Sequence, residues 1–204
     1  PEELKRRVGE RKTEIVAYLG RRGSARSRNG SAIPSVPRDG KNRLSPAQER
    51  LWFLHRLEGC EAAYNIPIAF RIEGALDVSV LEKSVSRILE RHEVLRQSIV
   101  NRDGLPYFRE ADIAGSFERV SADASSIGAL VLREATTPFD LENGPLVRFR
   151  LFEASSAERI LCINLHHIIG DGWSIDRIVA ELSSVYRGLS AGRESVLDPL
   201  PIQY

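Results

Sequence analysis

No stretch of apolar residues in this 204-residue chain approaches the roughly 20 needed to cross a bilayer, and its charged N-terminus lacks the apolar core of a secretory signal. Both absences point away from a membrane and toward a cytoplasmic location. Cysteine is equally scarce. Cys60 and Cys162 are the two in the chain, with no metal-type spacing, so neither a disulfide framework nor a metal site is expected. Cys162 sits in an apolar run as a small buried residue. The basic residues have no interleaved aromatics and no recognition motif beside them, which excludes nucleic acid as a partner. What remains is 42% apolar and 28% charged, the balance of a globular protein whose length suits one core, or a core with an appendage.

The net charge of +1 is a cancellation. Residues 1–43 hold 12 Lys or Arg against 5 Asp or Glu, a net of +7, and the remaining residues hold 17 against 23, a net of −6. A basic arm thus precedes an acidic body. The arm reads as a solvated face and a soluble linker, or as a contact for an acidic partner. Within it, Leu4, Val8, Ile15, Val16 and Leu19 predict an amphipathic helix over 1–20, opened by Pro1, Glu2 and Glu3, where free amides favour acids. Residues 21–43, rich in Gly, Ser, Pro and Arg, predict an extended linker.

From Leu44 the pattern is that of ordered structure. Ser45, Pro46 and Gln48 predict a capped helix to about Leu57. Ile66 to Ile72 alternates as a strand. Asp77 caps a helix whose stripe of Leu81, Val85, Ile88 and Leu89 takes in His92, placing that imidazole as a satisfied structural histidine. Leu95–Val100 and Tyr107-Phe108 flank an Asp103-Gly104 hairpin turn. A short strand at 117–120 and a helix at 126–136 follow. Strands at 146–152 and 159–165 form an expected antiparallel pair. A final helix runs through Ile175, Ile178, Leu182 and Tyr186, with Ser174 as its N-cap. The mixture of hairpins and crossover helices predicts a mixed α/β sheet with helices packed on it.

Directly after the strand at 159–165 stand His166-His167-Ile168-Ile169-Gly170-Asp171-Gly172. Side chains on a loop at a strand end are held by a rigid element yet reach a cleft, and either imidazole titrates near neutral pH. On residue types alone, one buried histidine plus a capping aspartate also satisfies the pattern.

Three stretches precede this segment in order: Leu44-Ser45-Pro46-Ala47-Gln48-Glu49-Arg50-Leu51-Trp52-Phe53-Leu54, Tyr64-Asn65-Ile66-Pro67, and Arg91-His92-Glu93-Val94-Leu95-Arg96. Phe139-Asp140-Leu141 with Gly144-Pro145-Leu146, and the closing Pro199-Leu200-Pro201-Ile202-Gln203-Tyr204, complete the set. Together, over 44–204, they resemble the opening half of a condensation domain of nonribosomal peptide synthetases. The resemblance implies the N-terminal lobe of a chloramphenicol-acetyltransferase-like fold. It also implies amide-bond formation between a donor acyl thioester and the amine of an acceptor aminoacyl thioester. Phosphopantetheine enters on donor and acceptor carrier proteins, and no cofactor is bound directly. Helix 1–20 and its linker resemble the tail of a docking domain. Motifs of the family's second lobe are not found in the sequence, so the chain is expected to be one lobe of a larger protein, inactive alone, with the other lobe and the synthetase modules as partners.

Carried onto these positions, the resemblance makes His167 the histidine facing the reaction, as general base or as the group that orients the amine. His166 supports the loop. Asp171 either orients the imidazole or fixes the turn by accepting loop amides or an arginine. In the family its role is structural, and Arg96 is the candidate partner. Gly172 supplies backbone freedom or close approach of substrate. Tyr64 and Trp173 line a substrate channel or pack in the core. Three rivals share the scaffold. An epimerase is disfavoured by Asp171-Gly172-Trp173-Ser174, where epimerisation domains read Asp-Gly-Val-Ser-Trp. A heterocyclisation domain would replace the paired histidines, and an acyltransferase would use free coenzyme A. A noncatalytic carrier-protein docking module is the alternative of another class.

Overall fold

In the computed structural model, residues 42–57, 61–155, 158–193 and 197–203 are described, all within a compact unit, Arg38–Tyr204. The expected helix at 1–20, nearly all of the linker, Gly59, Cys60 and Tyr204 lie outside the described residues. Asn42 and Arg43, assigned to the linker from sequence, instead join the fold. The Asn42 carbonyl accepts the Phe108 N–H at 2.9 Å, and Arg43 bridges Tyr107.

The elements in chain order are α1 (Pro46–His55), β1 (Asn65–Ile72), α2 (Val78–Arg91), a 3₁₀ turn (Glu93–Arg96), β2 (Gln97–Arg102) and β3 (Leu105–Glu110). They continue with β4 (Phe117–Ser121), α3 (Ile127–Thr136), β5 (Val147–Glu153), β6 (Arg159–His166) and α4 (Gly172–Ser190). One sheet has the order β1-β6-β5-β4, and β2-β3 forms a separate ribbon. β5 and β1 run antiparallel to β6, whereas β4 and β5 are parallel. A parallel pair needs a crossover, and α3 provides it, so the sheet is mixed, as the sequence predicts.

Local chemistry explains the element starts. Ser45 and Gln48 form the expected capping box on α1, with Pro46 in its first turn. Asp77 accepts the Ser79 and Val80 amides at the start of α2. Asp103 and Gly104 both adopt positive φ, 53° and 83°, the geometry that lets a two-residue hairpin follow the twist of its strands. Two differences stand out. Leu95 belongs to the 3₁₀ turn and not to β2. The final helix starts at Gly172, capped by Asp171, and Ser174 is its third residue, not its cap.

β6 is buried from Leu161 to His166 because both of its faces are covered. Successive strand residues point to opposite sides. Leu161, Ile163 and Leu165 therefore join the main core with Val85 and Ile88 of α2 and Ile178 and Leu182 of α4, while Cys162 joins Ile127 of α3 and Phe152. Asn164, on that second face, donates to the Glu134 carbonyl of α3 at 2.8 Å. His166 is the next residue on it. Burial lifts the Cys162 thiol to about 11, consistent with an inert apolar role. Among the described residues no helix is long and apolar enough to cross a membrane.

Candidate active site

His166 and His167 are adjacent in sequence and opposite in environment. His166 is 0% exposed, whereas the His167 side chain is in solvent. The cause is a tight turn immediately after β6, in which the Ile169 N–H donates to the His166 carbonyl at 3.0 Å. The turn swings His167 outward and returns Ile168 and Ile169 to the core. Its peptide groups are otherwise tied to the His166 ring and to two distant parts of the chain. The His167 N–H donates to the Tyr64 carbonyl at 2.8 Å, the Ile168 N–H to His166 Nδ1 at 3.1 Å, and Gln48 Nε2 to the Ile168 carbonyl at 3.0 Å.

His166 is fixed as a neutral ring. Accepting the Ile168 N–H at Nδ1 places its own proton on Nε2, and that atom is buried with no hydrogen-bond partner. It lies among rings: His55 is edge-on with centroids 5.2 Å apart, Phe139 is at 6.1 Å, and Tyr64 is at 6.4 Å. Desolvation, with lesser contributions from His55 and His167, pushes its pKa down to about 3. The ring is sealed from solvent and bonded to the turn through Nδ1, an arrangement suited to supporting the turn. Burial likewise lowers the pKa of His55.

Asp171 is exposed and serves α4. Its carboxylate accepts both the Ser174 N–H and the Ser174 hydroxyl at 3.0 Å, and Ser174 Oγ accepts the Asp171 N–H at 3.1 Å. Hydrogen bonds from Ser174 hold its pKa below the usual carboxylate range, and the helix N-terminus favours the same charge. Its hydrogen bonds are spent on the cap and not on the His167 ring.

Arg96 is not the partner of Asp171. Its Nη1 donates to the Leu89 carbonyl at 2.8 Å and to the Glu90 carbonyl, and its Nε lies 3.8 Å from Glu110. The guanidinium thus satisfies carbonyls left open at the C-terminal end of α2, a local bond that wins over a distant carboxylate. Gly172 does not have a positive φ, and a Cβ there would meet nothing within 4 Å. Backbone freedom is therefore not its role, and the space above it is open. The close approach belongs to Gly170, where a Cβ would lie 2.9 Å from Ser174 Cβ. Trp173 is 85% exposed beside the turn, so it does not pack in the core. Tyr64 is half-buried and contributes its carbonyl. Sequence reasoning missed His55, Phe139 and the second role of Gln48. The motif stretches contain Gln48 and Phe139, and His55 directly follows the first of them, but nothing in their spacing shows that they converge.

The sheet, its crossover and the His-bearing turn define a chloramphenicol-acetyltransferase-like fold, and comparison with known proteins narrows the class. The family model described as Condensation domain matches residues 39–204, and the chain belongs to that family. It is 40% identical over 200 residues to one of the subunits of linear gramicidin synthase from Brevibacillus parabrevis, covering 94% of this chain and 2% of that protein. It is 38% identical over 184 residues to a beauvericin nonribosomal cyclodepsipeptide synthetase of Gibberella fujikuroi, covering 86% and 6%. Among solved structures, the X-domain from teicoplanin biosynthesis superposes with a TM-score of 0.76 at 28% identity, over 84% of this chain and 38% of that one. The starter condensation domain of a rhizomide synthetase gives 0.70 at 25%, over 77% and 40%. The chain thus spans a few per cent of the synthetases it matches and about two-fifths of the matched structures.

Proposed function

We propose that the chain supplies the histidine-bearing half of a condensation site that joins two carrier-bound substrates. The acceptor amine attacks the donor thioester carbonyl, a C–N bond forms, the C–S bond breaks, and the donor's pantetheine thiol leaves. One proton is lost from the attacking nitrogen and one is gained by the departing sulfur. A thioester is already activated, so alignment of amine and carbonyl counts as much as base strength. His167 either takes the nitrogen's proton or hydrogen-bonds the amine and orients it.

The observation that carries this reading is the division of labour between neighbouring histidines. His166 is sealed and neutral, while His167 is exposed on a turn whose peptide groups are tied at several points. The resemblance to condensation domains implies the substrate class: donor and acceptor groups on phosphopantetheine arms of carrier proteins. Because His167 faces solvent, reaction also needs an opposing wall to exclude water and align the two arms, and this chain's described residues supply one side of the chamber. The test is product formation, followed by mass spectrometry, with loaded donor and acceptor carrier proteins and the full-length synthetase. His167→Ala is expected to lower the rate by about a hundredfold to ten-thousandfold with little change in melting temperature. A folded His167→Ala enzyme working at the wild-type rate would remove His167 from the reaction.

A further inference from the structure

We propose that Gln48 is a positioning residue for His167: it holds, from the far end of the sequence, the turn on which that histidine stands. The inference rests on the reading of His167 given above. Gln48 lies in the first turn of α1 and is 7% exposed. Its amide uses both ends. Oε1 accepts the Ser45 N–H at 2.9 Å, completing the capping box, and Nε2 donates to the Ile168 carbonyl at 3.0 Å, 120 positions later. A glutamate would serve the cap equally well, but an ionised carboxylate has no proton for Ile168. The second bond is what distinguishes the amide.

Ile168 directly follows His167, and three successive peptide groups around that histidine are fixed. The one before it is held by the Tyr64 carbonyl and the one after it by His166 Nδ1. The third is held on one side by the turn bond to the His166 carbonyl and on the other by Gln48. Of these partners, Gln48 alone comes from α1. Because the bond is buried, water does not readily replace it, and without it the Ile168 carbonyl lacks a partner. The turn then has freedom to rotate, and His167 moves with it. Gly170, packed against Ser174, limits the rotation on the α4 side, so the turn is gripped between two helices.

The test is Gln48→Glu in the full-length synthetase. The ionised side chain keeps the cap acceptor and loses the donor, whereas the protonated carboxyl regains an O–H for the Ile168 carbonyl. Arg43 and Glu49, paired at 3.4 Å beside the start of α1, and the two histidines of the turn remain in both proteins. The readout is therefore the ratio of variant to wild-type rate. At pH 8 the expected result is a fall in kcat of about tenfold to a hundredfold with KM nearly unchanged, and faster amide hydrogen exchange in a peptide covering residues 165–172. The rate ratio should rise as the pH is lowered. Gln48→Met, which carries no charge into the site, should show the same fall and faster exchange with no recovery at low pH. Ser45→Ala weakens the cap but leaves the Nε2 bond, so it should lower the melting temperature and preserve kcat. Wild-type kcat and exchange in either Gln48 variant would overturn the proposal, as would an equal loss of kcat in Ser45→Ala. If His167→Ala makes product at the wild-type rate, the reading of His167 fails. Exchange at 165–172 then decides Gln48 by itself, and unchanged exchange overturns its role.

Discussion

Helix α4 meets a histidine-bearing region at two places, and the two are built in opposite ways. Midway along it, Glu181 is buried and its Oε2 bonds His92 Nε2 at 2.8 Å and Arg91 Nε at 3.1 Å. At its N-terminus, Asp171 is exposed, and its hydrogen bonds go to Ser174 and not to the nearby His167. A histidine hydrogen-bonded to a carboxylate is the arrangement usually sought as a catalytic pair. Here that arrangement is the structural one. It clamps α2 to α4, with the side chains of Arg91 and His92 each 17% exposed and Gln203 closing over the Arg91 carbonyl at 3.0 Å. The region without a carboxylate–imidazole bond has the reachable imidazole. On the reading proposed for His167, access and a held backbone mark the site better than a strong side-chain bond does.

The comparison is most severely tested by breaking the clamp. Glu181→Ala leaves the Arg91 guanidinium and the His92 ring without their shared carboxylate. The loss is expected to be about 3 kcal/mol, the low end for a broken buried pair because both partners retain some solvent contact. Denaturant unfolding measures it, and product formation per folded molecule should be unchanged. A matching loss of activity in fully folded protein would make the clamp part of the chemistry.

Next in size is acid sensitivity from His166. Its pKa is about 3 when folded against an ordinary 6.5, so the unfolded chain binds the proton more readily. The stability it protects is complete above pH 6.5 and is lost as the pH falls toward 3. Between pH 6.5 and 5 the loss is about 2 kcal/mol. His166→Asn should flatten that part of the stability profile, and an unaltered slope would place the acid sensitivity elsewhere.

The smallest effect is expected at Asp171. As an exposed N-cap, its replacement by alanine should lower the melting temperature slightly, well below the effect of breaking a buried charge. Asp171→Asn, an equally good cap, should leave it nearly unchanged. Comparing melting temperature and product rate for the pair sharpens the contrast with Glu181. A large rate loss in Asp171→Asn with an unchanged melting temperature would return Asp171 to the role of orienting the imidazole.

Much of this architecture is legible in the order of residues alone. Ser45, Pro46 and Gln48 announce α1, Asp103-Gly104 announces its hairpin, and alternation announces β1, because each signal is local and acts through backbone geometry. The start of α4 is misread for a local reason too: Asp171 and Ser174 are both good caps, and only the conformation of the intervening Gly172-Trp173 decides between them. β6 is read one residue short because Asn164 and His166 look like the polar end of a strand, although α3 covers that face. Arg96 and Gln48 are harder. Each has both a nearby and a distant option for its hydrogen bonds. Arg96 takes the carbonyls at the end of its own helix, while Gln48 takes the near cap and the far turn at once. Spacing along the chain carries no information on such choices. The division between His166 and His167 has the same character, since a turn at one residue decides which ring faces water.

The central claim is that accessibility separates the histidine proposed to react from the other three, and chemical labelling tests it most directly. Diethyl pyrocarbonate acylates accessible neutral imidazoles, so the full-length synthetase can be treated for increasing times, with each histidine followed by peptide mass spectrometry and condensation product measured in parallel. Among the four histidines of this segment, His167 is expected to react first, at a rate matching the loss of product, while His55, His92 and His166 lag behind. Loss of product that tracks His92 or His55, or full activity with His167 completely modified, would contradict the account.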